Sequence, residues 1–217
     1  MDAARQLYER SGSGHDFDHV LRVVALAQEI AEAEGADRTV VSTAALLHDV
    51  GESEGRSNHH LRGAAIAREI LLDQPPEFVE AVAHAIEAHR FRADPAPSTL
   101  EAQVVSDADK LDAIGAIGVA RAFAHAGSRG TALWRTPWRQ IADASPTPQP
   151  LDAGSGPRIL GADYTPVHEF VYKLNRIPER LYTPTARAIA AKRLEFMRAF
   201  FDRLDAEMQA LEGGKLG

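Results

Sequence analysis

The chain has 217 residues, 45% hydrophobic and 25% charged, with a formal net charge of −7 and no cysteine. That length supports one sizeable core, the acidic balance argues against a long nucleic acid as partner, which needs a clustered basic face, and the missing cysteines exclude disulfides and thiolate zinc sites. The opening MDAARQLYERSGSG lacks a basic segment followed by an apolar one, and no apolar run approaches a membrane span, so a soluble, cytoplasmic protein without a membrane partner is expected.

From about Asp16 to Glu34, apolar residues recur at Val20, Val23, Val24, Ala27, Ile30 and Ala31, a helical period closed by Gly35. Asp37 reads as the N-cap of a second helix through Val40, Val41, Ala44, Ala45 and Leu47, which Gly51 ends. A third helix is expected from near Asn58 to about Asp73, and a fourth from Glu77 to His89 after Pro75 and Pro76. Residues 99–126 form a long alanine-rich helical pattern.

Residues 127–166 are Pro- and Gly-rich with little periodicity, as in a lid or binding loop. Within them Trp134 and Trp138 are expected to pin the segment to the body through a short helix rather than to stack on a ligand. From about Pro184 a strong helix returns, with Leu194, Met197, Phe200, Phe201, Leu204, Met208 and Leu211 on one stripe. It is expected to pack on the domain and is the candidate face for a homodimer. No strand pattern appears. The expected fold is all-α, a single structural domain with a helical core over 1–126, the irregular segment 127–166 and C-terminal helices over 167–217.

Three helices each place a polar group on an apolar stripe. His48, followed at once by Asp49, ends the run AALL; His19 aligns with Val23, Leu26, Ala27 and Ile30; Asp109 aligns with Ala102, Val105, Ala113 and Ala116. Buried charge is costly unless paired or bound to metal. Imidazole nitrogen with carboxylate oxygen suits zinc, manganese or iron, and several such groups that can meet point to a site. Asp107 and Asp112 compete with Asp109, with an alternative as caps or ion-pair partners.

The order His, then His-Asp, then Asp on successive helices resembles the HD-domain metal-dependent phosphohydrolases. The chain is most similar to a bacterial branch of small HD hydrolases around HDFDHVLRVVALA, AALLHDVG, AIEAHRF, DADKLDAIGAIGVARAF and HEFVYKLNRIPERLYTPTAR. The resemblance spans most of the chain outside 127–166. It implies that His19, His48, Asp49 and Asp109 hold a divalent transition metal, Mn²⁺ first, with Zn²⁺, Fe²⁺, Co²⁺, Ni²⁺ or Mg²⁺ as alternatives; Asp109 fits because the family has Asp directly before Lys or Arg and then Leu. The implied activity is hydrolysis of a phosphate ester or anhydride of a small molecule, a nucleotide, with pyrophosphohydrolysis of nucleoside triphosphates for the branch. Nucleotide monophosphatase or cyclic-nucleotide phosphodiesterase action, and a non-catalytic metal- or nucleotide-binding sensor, are the rivals.

Two residues are expected to act in catalysis. Glu52, three past Asp49, matches the acidic position that handles the attacking water in several HD hydrolases; Lys110, beside Asp109, supplies positive charge. Arg22 and Lys173 are candidate phosphate contacts, with Arg176, Tyr172 and His168 near the latter. Larger HD phosphodiesterases carry a second metal on a His four residues before a Gly and on a later His-His pair. Here His59 precedes Gly63 by four and His60 is adjacent, but Ala88 stands where the first His of the pair would be, leaving His89, with His84 about 140° away around the helix. One metal is therefore expected, with His59, His60, His84 and His89 as substrate contacts. His15 is read as a cap or a support for His19, and His125 has no assigned role.

Overall fold

Tyr8 and residues 17–54, 58–90, 96–144 and 164–213 are described by a computed structural model, and among these every regular element is helical. The expected all-α class holds. His15, the Glu54 side chain and residues 145–163 lie outside the described part. No described helix is long and apolar enough to cross a membrane.

Helix α1 runs Phe17–Glu34 and α2 Arg38–Leu47. Asp37 caps α2 as expected, its carboxylate accepting from Thr39 N at 2.8 Å and Val40 N at 3.1 Å, which satisfies two of the unpaired amides at the helix start. A 3-10 turn, Val50–Glu54, leads to α3, His59–Ile70, and α4, Pro76–Ala88.

The long pattern over 99–126 is two helices, α5 Leu100–Asp112 and α6 Gly115–Ser128. The break falls at Gly115, whose φ of 83° lies in the left-handed region that an L side chain resists; the alanine periodicity hid it. Then follow α7 Trp138–Ala144, α8 Pro166–Tyr172, a 3-10 segment Leu174–Arg180, and α9 Pro184–Gly213.

The chain divides into two compact units. The first comprises Met1–Asp112 with Arg180–Arg187. In it α1 packs on α2 and α5, and α3 on α4 and the 3-10 turn. Its core is built of small and β-branched residues, among them Val20, Val23, Ala27, Val41, Ala44, Ala45, Ala83, Ile86, Val105 and Ala108, all fully buried; small side chains let the helices approach closely. Gly51 does more than end a helix. A Cβ there would stand 2.3 Å from His59 O and 2.5 Å from Gly63 N, so only glycine lets the turn after the His-Asp pair seat on the first turn of α3.

The second unit comprises Ala113–Glu179 with Ala188–Gly217. Leu194, Met197 and Phe201 of the α9 stripe are buried in it, whereas Leu211 is exposed. Phe170 stacks on Phe201 with ring centroids 4.3 Å apart. Trp134 Nε1 donates to Asp205 Oδ1 at 2.7 Å, and Trp138 N donates to Asp205 Oδ2 at 3.0 Å. Both tryptophans are thus buried anchors of their segment, as expected.

Candidate metal centre

The first unit gathers an unusual density of imidazoles and carboxylates. His19 lies in the first turn of α1, His48 at the C-cap of α2 with Asp49 next, His59 at the start of α3, His89 at the C-cap of α4, and Asp109 on α5. Ligand atoms of His19, His48 and Asp109 lie within 4.8 Å of one another, and so do those of Asp49, His59 and His89.

The Asp49 carboxylate spans the two sets. Its Oδ2 is 3.3 Å from His48 Nε2 and 3.7 Å from His19 Nε2, while its Oδ1 is 3.6 Å from both His59 Nε2 and His89 Nε2. Asp109 Oδ1 is 3.4 Å from His19 Nε2 and 4.0 Å from His48 Nε2. The Asp109 side chain is 27% exposed against 7% for Asp49, giving the first set a solvent-facing side.

Local hydrogen bonds fix which nitrogen each ring offers. His48 Nδ1 meets Ala45 O at 2.8 Å, and His89 Nδ1 meets Ile86 O at 2.6 Å. A carbonyl only accepts, so each Nδ1 carries a proton and each ring turns its Nε2 inward, the nitrogen that would offer a lone pair to a metal. His19 Nδ1 is bound at 2.7 Å by Asp112 Oδ2, the carboxylate–histidine pairing that orients metal-ligating imidazoles. His48 Nε2 is buried and has no hydrogen-bond partner. His59 and His89 face each other Nε2 to Nε2 at 3.4 Å. An orphaned lone pair and two imidazole nitrogens turned to one carboxylate oxygen are what a cation would satisfy, so the residues fit a divalent metal.

The electrostatics agree. Burial would lower the His48 pKa, yet Asp49 and Asp109 push it up to about 9. Burial would raise the Asp49 carboxyl, yet His48 and His89 hold it well below the usual range. Burial likewise opposes ionisation of Asp112, but His19 and Arg22 keep it ionised. Asp49 and Asp109 thus favour positive charge at His48.

Other expected contacts are engaged elsewhere. Arg22 clamps Asp112, with Nε on Oδ1 at 2.7 Å and Nη2 on Oδ2 at 3.0 Å, so its guanidinium serves the carboxylate behind His19. His84 Nε2 accepts from Ser98 N at 3.2 Å and lies 2.9 Å from Ser98 Oγ, tying down the start of α5. Lys173 belongs to the second unit and pairs with Glu169 at 2.8 Å across one helical turn. In the same unit His168 Nδ1 accepts from Thr165 N at 3.2 Å as part of a capping box, and Arg176 pairs with Glu179. His60 is buried beside His59, ring centroids 5.6 Å apart, and burial, reinforced by Arg90, lowers its pKa to about 4.

Asp112 behind His19, and the meeting of His59 and His89 at Asp49, were not expected from the sequence. A signal for His89 was present: like His48, it directly follows an apolar run at a helix end, in AIEAH as in AALLH.

The HD-domain family model matches residues 16–114. The Bacillus subtilis protein YpgQ is 32% identical over 205 residues, covering 92% of this chain and 87% of YpgQ. A crystal structure of YpgQ in complex with ADP superposes with a TM-score of 0.69 at 31% identity, covering 95% of this chain and 93% of that one. An HD-superfamily hydrolase from Bacillus thuringiensis has a TM-score of 0.71 at 28% identity, covering 96% and 94% of the two chains.

Proposed function

Since the chain belongs to the HD-domain family of metal-dependent phosphohydrolases, we propose that its substrate is a nucleotide whose phosphate ester or anhydride it hydrolyses, with pyrophosphohydrolysis of a nucleoside triphosphate as the preferred reaction. The observation that carries the metal reading is the inward Nε2 of buried His48, which makes no hydrogen bond and converges with His19 and Asp109. The nucleotide rests on similarity to YpgQ, whose crystal structure holds ADP.

His19, His48, Asp49 and Asp109 would hold one divalent cation, Mn²⁺ first. The geometry around Asp49 favours a second ion position on Asp49, His59 and His89, so His59 and His89 are read as ligands rather than substrate contacts. A bound divalent cation supplies Lewis acidity to a phosphoryl oxygen and makes a bound water acidic. The chain's own part is to hold and orient. Asp112 fixes the His19 ring, the Ala45 and Ile86 carbonyls fix the His48 and His89 tautomers, and Glu52 orients the attacking water or takes its proton. Glu52 is half-buried in the 3-10 turn, its N–H donating to Asp49 O at 3.1 Å, which ties its backbone to a ligand residue.

The test is metal content on purification and release of phosphate and pyrophosphate from a nucleotide panel with added Mn²⁺. Turnover on one class of nucleotide supports the reading. Tightly held metal with no turnover on any phosphate ester or anhydride favours a sensor instead.

A further inference from the structure

Lys110 is a cation enclosed by the first unit, with 5% of its surface exposed. Its Nζ donates to Ser106 O at 3.1 Å and makes a shorter contact with Ser106 Oγ. Ser106 Oγ in turn donates to His89 O at 3.2 Å. The Ser106 hydroxyl hydrogen is thus spent on His89, and its lone pair receives Lys110. This chain of bonds sets the ammonium beside the metal-centre residues, on the helix that carries Asp109.

The carboxylates flanking Lys110 are committed elsewhere. Asp109 faces His19 and His48. Asp107, fully buried, accepts from Tyr182 N at 2.9 and 3.1 Å, from Thr183 N at 2.8 Å and from Thr183 Oγ1 at 2.8 Å. Among the described residues no carboxylate lies within 4.0 Å of Lys110 Nζ. A buried ammonium given a carbonyl and a hydroxyl, with Asp109 and Asp107 attracting it only from beyond ion-pair distance, is incompletely compensated for its lost hydration.

Asp107 also explains the motif LYTP. By collecting the amides of Tyr182 and Thr183 it pins the strap 180–187 against α5, and Lys110 Nζ lies over one face of the half-buried Tyr182 ring, 5.7 Å from its centroid, which leaves the opposite face for stacking. An aromatic ring thus flanks an incompletely compensated cation beside the metal-centre residues.

We infer that Lys110 and Tyr182 form a substrate subsite, in which Lys110 donates to a phosphate oxygen and the Tyr182 ring stacks on the aromatic part of the same molecule, with Asp107 as the positioning residue. The inference rests on the nucleotide-hydrolase reading and gives that substrate its orientation: phosphate on α5, base on the strap. It also makes Tyr182, which no motif reading singled out, a specificity residue.

The experiment uses two probes that cannot be hydrolysed, methylenediphosphonate and a methylene-bridged ADP analogue, titrated calorimetrically into Mn²⁺-loaded protein. Lys110→Met is expected to weaken both by at least about tenfold, the size of a lost charge-assisted hydrogen bond, with metal content unchanged and Tm equal or higher, since a buried charge has gone. Lys110→Arg should restore part of the affinity. Tyr182→Ala is expected to weaken the ADP analogue by about tenfold, as for a lost base stack, while leaving methylenediphosphonate unaffected; Tyr182→Phe should behave as the parent. Asp107→Asn should follow Tyr182→Ala. Unchanged affinities in Lys110→Met, with or without a fall in Tm, would make the lysine structural and overturn the subsite. Equal loss of both probes in Tyr182→Ala would overturn the stacking role. If no nucleotide is turned over but both affinities respond as expected, the hydrolase reading fails while the subsite stands.

Discussion

Asp112 Oδ2 stands 2.7 Å from His19 Nδ1, and Arg22 grips the same carboxylate from its other side. This arrangement forces the His19 lone pair onto Nε2, toward Asp109 and Asp49. The first prediction is that Asp112→Asn weakens Mn²⁺ binding by about 10- to 100-fold, the usual effect of losing such an outer partner. Competition with a chromophoric chelator measures it. An unchanged affinity in a folded variant would show that His19 is held without Asp112.

Metal affinity should rise with pH over a defined window. The His48 pKa moves from its ordinary 6.5 up to about 9, burial opposing and Asp49 and Asp109 driving the shift. In metal-free protein the charge pairing of His48 therefore stabilises fully below 6.5 and is lost as pH climbs through about 9. A metal needs the neutral ring, so binding must expel that proton inside the window. Calorimetry in buffers of different ionisation enthalpy should show proton release on binding, and the Tm of metal-free protein should fall toward the upper end. Proton-neutral binding at pH 7 would contradict the assignment of His48 as a ligand.

Much of this site was legible because burial and polarity conflict in plain sight. His19, His48 and Asp109 interrupt apolar stripes at helical spacing, and a stripe tells which way a residue faces. What periodicity does not carry is which polar groups meet across helices. His59 and His89 lie thirty residues apart, and only the seating of the Gly51 turn on α3 brings the first to Asp49. Arg22 read as a phosphate contact because its partner, Asp112, is ninety residues away. The break between α5 and α6 was hidden for a different reason: alanine suits a helix at every position, so a single left-handed glycine left no mark on the pattern.

The second set around Asp49 makes a stoichiometric prediction. His59→Ala and His89→Ala should each lower metal content from two ions to one, whereas Asp49→Ala, which removes the carboxylate common to both sets, should abolish tight binding and turnover together. Elemental analysis after dialysis reads the first, and nucleotide turnover the second. One ion per chain in the parent protein, unchanged in His89→Ala, would return His59 and His89 to another role.

Glu52→Gln separates holding from chemistry. The amide keeps the size of the side chain and the backbone bond to Asp49 O, so metal content should survive. If Glu52 handles the proton of the attacking water, kcat should fall by about 10²-fold or more with little change in KM. A single-turnover assay at saturating Mn²⁺ distinguishes this from slower product release. A kcat near the parent value would move the role to another group.

Trp134, expected from the sequence to pin a segment that could be a lid or binding loop, is an anchor in the structure. Its indole is 7% exposed and donates to Asp205 Oδ1, while Asp205 Oδ2 takes the Trp138 amide and Trp138 Nε1 bonds Asp202 at 2.8 Å. One carboxylate thus joins two points of the segment to α9, and the Trp138 ring meets Phe170 edge-on at 5.5 Å. A side chain spent in this way is not free to close over a substrate. Trp134→Ala should therefore cost about 3–5 kcal/mol of stability, as for other buried large aromatics, and leave KM within about twofold, a change of under 0.5 kcal/mol. Asp205→Asn, which weakens two donors at once, should lower Tm in the same direction by a smaller amount. Denaturant unfolding and steady-state kinetics on the same preparations give both numbers. A large rise in KM without a loss of stability would restore the lid.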